Sequence, residues 1–142
     1  MENRAFISLR ISGQELNLRE ITKQLHMSPT HAYKKGESFL DRWRGGEKIV
    51  YREDCWLAET ETEPGETPEL ALTRFVVELL PFTDFLKRLS QSADITILVS
   101  VYPESEQVNL HLSPEVIAAL YQIGAGFDGS VLFLRQFYDG RA

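Results

Sequence analysis

The sequence predicts an α+β fold, a largely antiparallel sheet of five to six strands with helices packed on one face. Three observations carry this. Segments that alternate apolar and polar residues, as half-buried strands do, intermix with segments whose apolar residues recur at helical spacing. Three helix starts are written in capping residues at Asn17, Thr67 and Ser113. Several strand segments are separated by short turns, which favours hairpins over long crossovers.

The first strand is Phe6 to Ser12, with Ile7, Leu9 and Ile11 on one face and Ser8 and Arg10 on the other. Gly13 ends it. Asn17 then caps a helix, Glu20 completes a capping box, and Leu16 and Ile21 occupy the two positions of a hydrophobic staple. Pro29 forces the chain out of this helix at or before Ser28. From Thr30 to Gly46 the periodicity disappears, and a long ordered loop is expected. Two short strands follow, Lys48–Tyr51 and Cys55–Ala58, turned at Arg52-Glu53-Asp54. The acidic tract from Glu59 to Glu66 reads as a solvated loop.

Thr67-Pro68-Glu69 starts the second helix, whose buried stripe is Leu72, Phe75, Val76, Leu79 and Leu80. Pro81 breaks or kinks it, and Phe82, Phe85, Leu86 and Leu89 continue the apolar face. Ile95 to Tyr102, rich in β-branched residues, is a central strand, expected to form a hairpin with Val108 to Leu112. Ser113-Pro114-Glu115 starts a third helix that Gly124 terminates. Phe127-Asp128-Gly129 turns the chain into a last strand, Val131 to Phe137. The expected order is β-α-β-β-α-β-β-α-β within one domain, residues 1–142. A chain of this length buries roughly 70% of its unfolded surface and needs no disulfide or metal to hold a core.

The formal charge of −6 disfavours nucleic acid and anionic lipid as partners of the whole surface. With one cysteine there is no internal disulfide. The Met1-Glu2-Asn3-Arg4 start lacks the pattern of a signal peptide, and no apolar run approaches the ~20 residues that span a bilayer. A cytoplasmic location and no membrane association are expected.

Common chemistries find little support. Cys55 lacks a basic neighbourhood to lower its pKa and reads as a buried structural residue. His26 and His31 are not at the helical i, i+4 spacing of a zinc pair, and His111 falls on the polar face of its expected strand. Gly45-Gly46 and Gly124-Ala125-Gly126 lack the context of a phosphate loop, and there is no Gly-x-Ser-x-Gly elbow. No cofactor is expected.

One segment has functional character. His31 to Arg52 carries six bases (Lys34, Lys35, Arg42, Arg44, Lys48, Arg52) against three acids, interleaved with Tyr33, Phe39, Trp43 and Tyr51. Aromatics beside arginine favour stacking and interface anchoring. The candidate surface is Thr30, Lys34, Lys35, Arg42, Trp43, Arg44 and Trp56. The plainer alternative is a loop wrapped over the sheet, with Phe39 and Trp43 as core plugs.

Ser12-Gly13, Glu20-Ile21-Thr22, Met27-Ser28-Pro29-Thr30, Lys35-Gly36-Glu37 and the isolated Trp56, followed by Tyr102, Leu112-Ser113-Pro114-Glu115 and Ile123-Gly124-Ala125, occur in an order that resembles the domain of unknown function 4279 family, small and mostly bacterial proteins. The resemblance implies a compact stand-alone domain and no particular chemistry. It has one departure: His26-Met27 stands where a glycine is often found at the end of the first helix.

The expectation is a non-enzymatic binding protein that holds a protein partner or small ligand through the 30–56 surface. Its most concrete form is an immunity-type protein that neutralises a toxin, by analogy with other small bacterial domains. The alternatives are single-stranded nucleic-acid binding through stacking and a positive groove, and a small enzyme centred on Cys55 or a histidine cluster.

Overall fold

A computed structural model describes residues 4–41, 45–104 and 109–132. The strands are β1 (Arg4–Gly13), β2 (His31–Tyr33), β3 (Ser38–Asp41), β4 (Glu47–Val50), β5 (Asp54–Glu61), β6 (Asp94–Tyr102) and β7 (Gly126–Val131). The α-helices are α1 (Leu18–Leu25), α2 (Pro68–Leu79), α3 (Thr83–Leu89) and α4 (Pro114–Ile123). Five strands form one sheet in the order β2-β5-β1-β6-β7, and β3 and β4 form a separate two-stranded ribbon. The fold is α+β and the main sheet is antiparallel except for β6 and β7.

The pleat explains the layering. Ala5, Ile7, Leu9 and Ile11 of β1 are fully buried, and their partners Val101, Val99, Ile97 and Ile95 on β6 lie on the same face. That face meets the helical residues Ile21, Leu25, Leu72, Phe75, Leu79, Leu86, Leu120 and Ile123 in one contiguous core. The opposite face carries Ser8, Arg10 and Ser12 of β1 beside Cys55, Leu57 and Glu59 of β5.

The helix starts work as their sequences predict. Asn17, Thr67 and Ser113 each accept a hydrogen bond from the backbone N–H three residues on. Pro81 falls in a single 3-10 turn that separates α2 from α3. Gly124 stops α4 in the left-handed conformation, φ 75°. The first helix ends the same way without glycine: His26 itself takes the left-handed conformation, φ 53°. The departure at His26 therefore leaves the turn geometry intact.

Six expectations are corrected. The acidic tract is not all loop, because Glu59–Glu61 end β5, and Leu80, expected in the buried stripe of the second helix, is exposed in the 3-10 turn. The stretch 30–46 is not a plain loop, because it supplies β2 and β3. The strand at 47–50 pairs with β3 and not with β5, whose neighbours are β1 and β2. The hairpin of 95–102 with 108–112 does not form. β6 lies between β1 and β7, and residues 109–113 are not a strand. The alternation there has another cause, since Leu110 and Leu112 pack on the core from irregular backbone. Finally, Phe127-Asp128-Gly129 lies inside a strand rather than a turn, because Gly124 and Ala125 already reverse the chain after α4. β7 is parallel to β6, with α4 as the crossover such pairing requires. Val108 and the end of the expected last strand, 133–137, lie outside the described residues.

Candidate functional site

β2, β3, β4 and β5 are parts of one long hairpin. Tyr33 opposes Cys55 near its base and Ser38 opposes Val50 further out, and between them the Gly36 N–H donates to Tyr51 O while the Tyr51 N–H donates to Glu37 O. The pair numbering is the same on both sides, but a turn closed by the Glu37 N–H on Lys34 O interrupts the pleat between the two ribbons. Residues 34–36 and 52–54 form that break. Gly36, at φ 92°, supplies a backbone conformation that residues with a Cβ rarely adopt.

Two groups hold the break, one on each face. On the helix side Asp54 is buried. Its carboxylate accepts the Leu16 N–H at 2.9 Å, the Lys35 N–H at 2.7 Å and the Lys34 ammonium at 3.0 Å. Lys34 also donates to the Leu16 carbonyl. The backbone N–H groups of Leu16 and Lys35, followed by Lys34, hold the Asp54 carboxyl down at about 2, and burial opposes them. Asp54 thus replaces missing ladder bonds and ties the hairpin to the start of α1. On the opposite face three rings stack. Tyr33 and Tyr51 lie 3.5 Å apart between centroids at 14°, and Phe39 lies 5.0 Å from Tyr51. Burial, then the Cys55 thiol that it hydrogen-bonds, push the Tyr33 phenol above its ordinary value.

Beyond the break, β3 and β4 pack chiefly on each other. Phe39 is 40% exposed, Leu40 69% and Val50 51%. Register places Leu40 and Val50 on one face of this arm, and Phe39 and Ile49 on the other. A cleft of about 430 Å³ opens beside the arm, its lining including Tyr33, Phe39, Ile49, Val50 and Tyr51 with Gln14 and the charged pair Arg52 and Glu53.

The expected site residues fall in different places. Thr30 is exposed, but its N–H donates to Leu57 O and its hydroxyl accepts from the Glu59 N–H, so its polar groups continue the sheet. Lys34 is half exposed and is engaged by Asp54 and Leu16. Lys35 reaches Gln14 from the surface. Trp56 is fully buried under α1, its indole N–H donating to the Thr22 hydroxyl at 3.0 Å, and it presents nothing to a partner. Arg42, Trp43 and Arg44 lie outside the described residues. Asp54 and the rings of Tyr33 and Tyr51 were missing from the expected set.

Cys55 is buried against Tyr33. His26, His31 and His111 sit on separate elements, and among the described residues no set of His, Cys, Asp or Glu is grouped to hold a metal. No helix among them is long and apolar enough to cross a membrane.

A family model described as Domain of unknown function (DUF4279) matches residues 3–134. No curated protein and no solved structure matches the chain.

Proposed function

Since the chain belongs to the domain of unknown function 4279 family, whose description carries no activity, we propose on geometric grounds that it is a non-enzymatic binding protein that captures a protein partner through the β3–β4 arm. One observation carries this: the arm exposes large apolar side chains on both faces, Leu40 and Val50 on one and Phe39 on the other. An isolated two-stranded ribbon is marginal in water, and contiguous exposed apolar surface marks interaction sites. An immunity-type protein that covers the working surface of a toxin is the concrete form of this reading, and a toxin gene beside this one would support it.

The charges favour a protein over single-stranded nucleic acid. Among the described residues Lys34 is tied to Asp54, and Lys35, Lys48 and Arg52 are interspersed with Glu37, Glu47 and Glu53. A stacking groove needs a sustained positive track.

Affinity capture from native extract tests the proposal. The double substitution Leu40→Asp, Val50→Asp should abolish retention of a specific partner, whereas Val77→Asp, at an equally exposed apolar site on α2, should retain it. Equal retention by both variants would remove the arm from the interface. Oligonucleotide binding at low salt that those two aspartates abolish would favour the nucleic-acid alternative.

A further inference from the structure

We propose that the break in the long hairpin is a hinge, and that the Asp54 cluster and the ring stack are opposed clamps that set the angle of the β3–β4 arm. The interrupted ladder carries the argument. In an uninterrupted hairpin the ladder itself fixes direction, but between Tyr33–Cys55 and Glu37–Tyr51 the ladder bonds give way to contacts with the Asp54 side chain. Their contacts place Lys34 and Asp54 on the helix side, where both reach Leu16. Tyr33, paired with Cys55, stacks with Tyr51 and Phe39 on the other side, so the stack bridges the break with Tyr33 below it and Tyr51 and Phe39 beyond. Each clamp therefore pulls the arm toward its own face, and the angle is the balance of the two. The inference concerns the isolated protein and does not depend on what the arm captures.

The clamps predict shifts of opposite sign. Spin labels at Lys23→Cys on exposed α1 and Lys48→Cys on the arm report their separation, while native Cys55, 3% exposed, stays unlabelled. Asp54→Asn releases the helix-side clamp, so the arm moves away from α1 and the label distance lengthens. Tyr51→Ala releases the ring stack, and the distance shortens. A 20° swing of four residues at about 3.4 Å each displaces the arm's end by roughly 4–5 Å, within reach of pulsed dipolar measurement. Should Asp54→Asn lose its native circular dichroism, Lys34→Met, which removes the ammonium alone, takes its place. Unshifted distributions in folded variants, or shifts of the same sign, overturn the hinge.

Discussion

The Asp54 carboxylate and the Leu16 backbone amide are 38 residues apart in sequence and 2.9 Å apart in space. That one contact joins the start of α1 to the break in the hairpin, and the same carboxylate also holds Lys34 and Lys35.

Asp54→Ala leaves the Leu16 and Lys35 donors without their acceptor. Hydrogen bonds to a charged group contribute about 1.5–3 kcal/mol each, less where water can replace the partner. The variant should lose about 2–3 kcal/mol in urea unfolding. A loss below about 0.5 kcal/mol would mean that the carboxylate does not organise this junction.

The same group makes stability depend on acid. Its pKa is lowered on folding, from 3.8 to about 2. The stabilisation is fully present well above 3.8, declines as pH falls below that value, and is gone once pH passes below about 2. The stability gap between wild type and Asp54→Asn should therefore be constant from pH 7 to 5 and narrow between pH 4 and 2. Urea midpoints at pH 6, 4 and 2.5 measure this.

Trp56 has its indole N–H in a fully buried setting, with Thr22 Oγ1 as acceptor. Thr22→Val keeps the volume and removes the acceptor. The expected loss is about 1–2 kcal/mol, with a change in tryptophan emission as the local readout.

Gly124 is left-handed, and a Cβ added there would lie 2.5 Å from Ser90 Oγ and 2.8 Å from Ser90 Cβ. Gly124→Ala should cost about 1–2 kcal/mol in backbone strain alone, with the collision in addition. Adding Ser90→Gly should recover the collision and leave the strain. Full recovery in the double variant would show that conformation does not matter here.

His26 holds the same left-handed conformation with a side chain, and its ring contacts Phe82 at 5.9 Å. His26→Gly relieves the strain and forfeits the ring contact, which contributes about 0.5 kcal/mol or more. A net gain of about 0.5 kcal/mol, read as a thermal midpoint higher by a few degrees, is expected. A lower midpoint would mean that the ring contact outweighs the strain.

Local chemistry was legible in the sequence wherever a few neighbouring residues decide the outcome. Asn17, Thr67 and Ser113 cap their helices, Pro81 separates α2 from α3, and Gly124 stops α4, because each acts on backbone within four residues of itself. The two-residue period of β1 sufficed to sort its apolar face from its polar one, although Ser8 and Ser12 on the polar face are also buried. Pairing was another matter. The alternation at 108–112 names strand character, or its imitation by two leucines on a core, without naming a neighbour. Only tertiary structure gave the free edge of β6 to β7. Likewise the basic aromatic segment stood out by composition, but the uses of its residues were settled by contacts across 20 or more positions. Asp54 claimed Lys34, and α1 enclosed Trp56. What remained exposed, the apolar side chains Phe39, Leu40 and Val50 of the arm, depended on a register that no local pattern specifies, since strand partners are chosen by the whole sheet at once.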